Sequence, residues 1–580
     1  MRAVALAALW LLSTGAFGQD KAWIEESNTH AKVLLDVMAK YSPEQASSTG
    51  VEGHDAEVFD LKPRYVERQL ADLNAAAEKL TRARDAASDP RVKQDLEILV
   101  DAANDQVETI ELNRRLMLPY FDLPRAIFTG FQNLIDERIP KQRQAAALTR
   151  LKRYVGAERG YEPIVTLVQK RFEESAANAQ LVGPWSVEVE QDLKNQGRYI
   201  EGIRELLKGS GLKGWQKDLA TLSRQFDEYA QWVRATVLPR ARQSNRLPPE
   251  IYADNLKNFG VDMQPQELMD RAQSAYAQTR DELASVARVL AAQRGWKSAD
   301  YRDAIRELKK ERIANDQLLE VYNARLAAIE AIARQEQIVS LPKRPAVIRL
   351  ATEAESAAQP APHVDMPRLI GNTGEPAEFV LPTRNPSAAS AAEMDDFNFD
   401  AITWTLTVHE ARPGHELQFA AMLEQGVSTA RIVYAFNSAN VEGWALYAEA
   451  VMKQYLPLEG QIGSLQMRLM RAARAFLDPM LNLGLIEPAA AKRLLMEEVM
   501  LSEPMAQQEV DRYTFRAPGQ ATSYFYGYNK LEALRTKAGI ALPGGAFPEQ
   551  AFHDFIVNQG LLPLDVLDRA VLETFVSSQK

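Results

Sequence analysis

Six histidines occur in this 580-residue chain, and two of them fall within seven residues, in Val408-His409-Glu410-Ala411-Arg412-Pro413-Gly414-His415-Glu416-Leu417-Gln418. Two imidazoles on one helical face, with a carboxylate directly after the first, can hold a zinc ion and deprotonate a water. In the short form of that pattern the histidines stand four residues apart; here the second lies six residues on. At about 100° per residue, six steps of a regular helix leave the two rings roughly 120° apart, so an unbroken helix cannot aim both at one ion. The intervening residues include Pro413 and Gly414. Proline deletes a helical hydrogen bond and its ring pushes on the carbonyl four residues back, here that of His409, while glycine tolerates unusual dihedrals. A kink or bulge at this point would bring the rings together, with Glu410 as general base toward an attacking water.

A catalytic zinc needs a third protein ligand and an open position. The chain contains no cysteine, which removes thiolate ligands and disulfides together and leaves histidine and carboxylate as donors. Residues 437–455 read as a helix capped by Asn437 or Ser438, and Glu442 and Glu449, two turns apart, share one of its faces. Trp444, Ala445, Leu446 and Ala448 surround them, which suggests burial on most sides, and a buried carboxylate needs a partner. Further on, Ser523-Tyr524-Phe525-Tyr526-Gly527-Tyr528 supplies three phenols, of which Tyr524 and Tyr528 share a helical face. A phenol can donate to a developing oxyanion; an aromatic core cluster is the alternative. Just upstream, Arg512 and Arg516 are cations able to bind a peptide's terminal carboxylate, with an ordinary ion pair as the commoner fate.

The string HEARPGHELQ, then Glu442-Gly443-Trp444-Ala445-Leu446-Tyr447-Ala448-Glu449, then Pro518-Gly519-Gln520-Ala521-Thr522-Ser523-Tyr524 together resemble the motifs of the DUF885 family of bacterial, often exported, proteins. That family is similar to the helical zinc metallopeptidases of the neurolysin-like and angiotensin-converting-enzyme-like kind. The resemblance spans the mature chain and implies a mainly α, large two-lobed helical fold with a deep cleft and a small β-sheet beside the site. It implies one zinc ion on His409, His415 and Glu442, with Tyr524 first and Tyr528 second as oxyanion donor. Glu449 would accept a hydrogen bond from a ligand histidine. Gly53-His54-Asp55 looks like an early motif of the same family, which would put His54 at the cleft, although a turn-stabilising hydrogen bond is the commoner work of such a pair. The activity implied is that of an exported zinc-dependent hydrolase, a peptidase acting on short peptides. The alternatives are a metal-dependent amidase on modified amino acids or cell-wall peptides, and a non-catalytic peptide-binding protein on the same fold. Cobalt and manganese also suit two imidazoles and a carboxylate.

The elements that must position these residues are legible in outline. Residues 1–19 read as a cleavable signal peptide: a basic start at Arg2, an apolar run, and a small-residue exit at Ala16-Phe17-Gly18. No cysteine follows to carry a lipid, and no later stretch is long and apolar enough to span a bilayer, so the expected location is the periplasm without a membrane anchor. A net charge of −10 with both signs interleaved argues against nucleic-acid binding, and the absence of a Gly-x-Ser-x-Gly elbow argues against a serine hydrolase. Residues 20–340 read as a helical lobe, with apolar stripes over 66–86, 92–116, 142–157, 163–179, 186–207 and 265–294 and a glycine-capped helix ending at Gly260. Residues 341–580 read as the lobe that carries the metal site, the two lobes forming one cooperative unit. Within it, 347–351 and 377–381 are strand-like and bounded by Pro and Gly turns. They form either a sheet whose edge holds an extended substrate or a hairpin that joins the lobes, and His363 between them reads as a loop residue. Residues 401–412 suit a strand as well as a buried helix, with the family resemblance favouring helix; after the kink, His415–Gln425 reads as helix with Gly426 as its stop.

Overall fold

The helical periodicity of the first half of the chain produces long helices at Tyr65–Ala86, Pro90–Leu116, Ser186–Gly209 and Pro265–Arg294. The computed structural model describes residues 21–579 apart from 353–354, 357–358, 360, 383–393, 543 and 546; the expected signal peptide at 1–19 lies outside the described residues. With 68% helix and, among the described residues, one small three-stranded sheet, the fold is mainly α. One stretch departs from its periodicity: 142–157 forms two short helices, Lys141–Gln144 and Ala147–Tyr154. Gln144 is buried at the break and turns its amide back onto the carbonyls of Asp136 and Ile139, a local demand that an apolar stripe does not register.

Four apolar cores result among the described residues, the smallest joining Ala377, Phe419, Met422, Ile432, Val441 and Leu561. One gathers residues between Leu61 and Val237; another joins Ala31 through Ala103 to Ala430; the largest takes Ile98 and then side chains from Tyr252 to Val576. The division at residue 340 therefore falls inside the largest core. The reason is helix Pro265–Arg294, which packs lengthwise along Leu458–Asn482 and buries Leu268, Ala272, Leu283, Ala287 and Leu290 there. Removing each of the three leucines from water is worth about 1.5–3 kcal/mol, enough to attach this helix to the C-terminal half whatever the composition suggests. No helix among the described residues is long and apolar enough to cross a membrane.

The sheet also differs in detail. Strand β1 (Val347–Leu350), β2 (His363–Asp365) and β3 (Glu378–Leu381) lie in the order β1-β3-β2. The two strand-like runs pair directly but in parallel, Ile348 opposite Phe379, so they are not a hairpin; a parallel pair needs a crossover, and the intervening chain supplies one. That crossover contains β2, antiparallel to β3, and His363 stands on it instead of in a loop. Residues 401–412 resolve as helix Asp400–Leu406 followed by a wider π-helical turn, Thr407–Ala411.

Candidate metal centre

The chain between the two histidines does not bend a helix; it ends one and starts another. Arg412, ahead of Pro413, takes an extended conformation (φ −126°, ψ 136°), the region left to a residue before proline. Gly414 then folds back so that its N–H donates to the Val408 carbonyl at 2.9 Å. A Cβ on Gly414 would lie 1.9 Å from the His409 oxygen, so only glycine fits. Gly414 is also the N-cap of helix His415–Gln425. His409 thus sits in the last turn of one helix and His415 in the first turn of the next, with ring centroids 4.8 Å apart. Trp444 pins the turn by donating its indole N–H to the Pro413 carbonyl at 3.0 Å.

Helix Ser438–Met452 is capped by Asn437, whose side chain accepts from the Asn440 N–H. It supplies both glutamates. Glu442 Oε2 lies 3.2 Å from His415 Nε2 and 3.5 Å from His409 Nε2. Donors about 2.0–2.1 Å from a tetrahedral zinc stand about 3.3 Å from each other, so these separations suit three ligands of one ion. Glu442 Oε2 and His415 Nδ1 nevertheless have no hydrogen-bond partner, although both are buried: the nitrogens reach the carboxylate without lining up on it. Among the described residues His409, His415 and Glu442 form a group able to hold a metal, with all ligand atoms within 4.8 Å of one another. Glu449 approaches His409 from the other side, accepting from Nδ1–H at 2.7 Å and from Thr405 Oγ1 at 2.8 Å. That bond fixes the ring's tautomer and leaves Nε2 toward Glu442.

The electrostatics follow from this packing. Burial disfavours a charge on His409, but the Glu442 and Glu449 carboxylates flanking it outweigh burial and push its pKa up to about 9. Burial likewise opposes ionisation of Glu442, yet the two imidazoles hold its carboxyl well below the ordinary carboxylate range. Glu410 is buried at the same cavity and burial pushes it up, against the neighbouring histidines. A position that binds a proton between carboxylates is one that a cation can occupy.

The cavity measures about 250 Å³ and its lining includes His363, Val364, His409, Glu410, His415, Glu442, Arg471, Arg474, Arg512 and Tyr524. Tyr524 stacks at 6.3 Å from the His409 ring, and Arg512 Nη2 donates to its hydroxyl at 3.0 Å. The other expected residues lie elsewhere. Tyr528 does not line the cavity and sits under Arg468, 5.6 Å from its guanidinium. Arg516 is held by Asp192 and Gln191 of helix Ser186–Gly209 at 2.9 and 3.0 Å. His54 is half-buried in a turn, away from the cavity lining, while its neighbour Asp55 accepts from Arg143 and Ser47. Sequence reading missed Arg471 and Arg474 and took His363, which borders the cavity, for a loop residue. For the arginines a signal existed: Arg468, Arg471 and Arg474 recur three residues apart, and the helix that carries them is buried over most of its length.

Comparison with known proteins agrees with this fold. A family profile described as "Bacterial protein of unknown function (DUF885)" matches residues 43–571. No curated protein matches the chain. A solved structure described as a "putative lipoprotein" from Colwellia psychrerythraea is 18% identical and superposes with a TM-score of 0.75 over 95% of this chain and 99% of that one. Another, a "putative lipoprotein of unknown function" from Shewanella oneidensis, is 20% identical with a TM-score of 0.72, covering 95% and 100%. At such identities the likeness is one of fold.

Proposed function

This chain belongs to the DUF885 family of bacterial proteins, and we propose that it is an exported zinc-dependent hydrolase that cleaves short peptides in the cavity beside His409, His415 and Glu442. The observation that carries this reading is the trio itself: two Nε2 atoms at 3.2 and 3.5 Å from one carboxylate oxygen that hydrogen-bonds to neither. Bound there, zinc would supply Lewis-acid polarisation of a carbonyl and make a nearby water easier to deprotonate. Glu410 borders the same cavity, takes the proton of the attacking water and returns it to the departing amine. Tyr524, its hydroxyl oriented by Arg512, offers a hydrogen bond where oxyanion charge develops. Met366, Phe397, Phe436, Met467, Met470 and Met505 receive substrate side chains and exclude water. Export is supported by the basic-apolar-small pattern of residues 1–19 and by the description of two proteins of this fold as lipoproteins.

The test is metal content by elemental analysis of purified wild type, His409→Ala and Glu410→Gln, followed by a peptide-library assay. Near-stoichiometric zinc in wild type and Glu410→Gln, its loss in His409→Ala, and a kcat lower by about 10²- to 10⁴-fold in Glu410→Gln are expected. Failure of wild type and variants alike to retain zinc after reconstitution would overturn the reading and leave a helical peptide-binding protein.

A further inference from the structure

Three arginines converge on the Tyr524 ring: the guanidinium carbons of Arg474, Arg512 and Arg471 stand 4.5, 5.4 and 5.8 Å from its centroid, and all three line the cavity. Their partners differ. Arg474 is paired, donating from Nε and Nη2 to the two oxygens of Glu509 at 2.6 and 2.7 Å. Arg512 donates to the Tyr524 hydroxyl and lies 3.7 Å from Glu509. Arg471 is 4% exposed, and its carboxylate contact is a 3.4 Å approach of Nη2 to Glu449, an acceptor already taken by His409 and Thr405. Its Nε and Nη1 are buried and donate to nothing. The carboxylates in ion-pair range of this wall are Glu509 and Glu449, while Glu442 stands against the two histidines.

A buried cation with idle donors is costly unless an anion completes it, and a guanidinium is suited to a carboxylate. We propose that the cavity takes a substrate with a free terminal carboxylate, bound by Arg471 with Arg512 beside it, and that the bond cleaved joins a C-terminal amino acid to its acyl group. This rests on the hydrolase reading above. Glu449 Oε1 lies 2.7 Å from His409 Nδ1 and 3.4 Å from Arg471 Nη2, so the anion site lies close to the histidine ring, within reach of one or two residues of chain at about 3.5 Å each. Met467 and Met470, on the same helix as Arg471, line the cavity and favour an apolar side chain on the bound residue. A volume of about 250 Å³ lies below the range of roughly 300–1,000 Å³ usual for drug-sized ligands, so the substrate is of acyl-amino-acid or dipeptide size.

The test is calorimetric binding of N-acetyl-L-phenylalanine and of its carboxamide to the full mature protein, carried out on Glu410→Gln to prevent turnover, with zinc content measured on the same samples. The acid is expected to bind roughly ten- to a hundredfold more tightly than the amide. Adding Arg471→Met should abolish that preference, and adding Arg471→Lys should restore part of it. Equal affinity for acid and amide, or binding of neither, in zinc-loaded protein overturns the carboxylate site and leaves the hydrolase reading standing. Preference for the acid in protein that takes up no zinc would support the anion site and sink the hydrolase. The acid–amide comparison needs no arginine variant, so it decides the matter even if Arg471→Met fails to fold.

Discussion

Glu449 shows how much of this site is set by groups that would not touch the metal. Its carboxylate accepts from His409, from Thr405 and, at longer range, from Arg471, so one side chain fixes the tautomer of the histidine and faces the cation proposed to bind substrate. Glu449→Gln keeps the shape, removes the charge and leaves His409 Nδ1–H with a weaker acceptor. Zinc affinity should drop about 10- to 100-fold, measured by competition with a chromophoric chelator. An unchanged affinity would mean that His409 is oriented by packing alone. Tyr524 and Tyr528 make the complementary point: they share a helical face by sequence spacing, yet the first meets Arg512 at the cavity and the second meets Arg468 outside its lining.

At the scale of elements, the site depends on a crossing of two helices without side chains at the contact. Helix Ser438–Met452 carries Glu442 and helix Thr522–Ala541 carries Tyr524, and they touch at Gly443 and Gly527. A Cβ on Gly527 would lie 1.9 Å from the Ala439 carbonyl, and one on Gly443 would lie 2.6 Å from the Gly527 backbone. Gly527→Ala must push the helices apart and carry Tyr524 away from Glu442. Stability should fall by about 1–3 kcal/mol, as overpacking does, with kcat reduced while zinc is retained; urea unfolding, elemental analysis and kinetics on one preparation would read all three. A variant of normal stability and activity would show that the crossing can relax. The wide turns behave in the same spirit: Thr407–Ala411 holds His409 and Arg512–Arg516 holds Arg512, and such π-helical turns commonly occur where a side chain must leave the regular helical register.

Across the whole molecule, His553 ties three distant segments. It is 1% exposed, its Nδ1–H donates to the Ile338 carbonyl at 2.7 Å, and its Nε2 accepts from the Tyr447 hydroxyl at 2.9 Å. Burial, helped by Arg535, brings its pKa down to about 4, against about 6.5 in an unfolded chain. The unfolded chain then binds more protons than the folded one between these values. The contribution of His553 to stability is thus complete above about pH 6.5 and is lost as pH falls toward 4, by up to roughly 3 kcal/mol. Urea unfolding at pH 7.5, 5.5 and 4.5 should show a steeper acid loss in wild type than in His553→Gln; equal slopes would contradict the assignment.

The sequence alone determined that the chain is mainly helical, where several helices begin and end, and that His409, Glu410, His415 and Glu442 belong to one question. Apolar spacing and capping residues act locally, so the bounds of Pro265–Arg294 and His415–Gln425 and a cap at Asn437 or Ser438 were legible in the sequence, and Asn437 is the one that caps. Tertiary structure decided what depends on contacts between distant residues. It attached residues 252–339 to the C-terminal core, because helix Pro265–Arg294 found its apolar partner nearly two hundred residues away. It paired β1 with β3 in parallel across a crossover that brought His363 to the cavity. It separated Tyr524 from Tyr528 and Arg512 from Arg516, and it set Arg471 beside Glu449 with donors to spare. Helical spacing fixes only the direction in which a side chain leaves its own helix; what it meets there is fixed by the packing of the others.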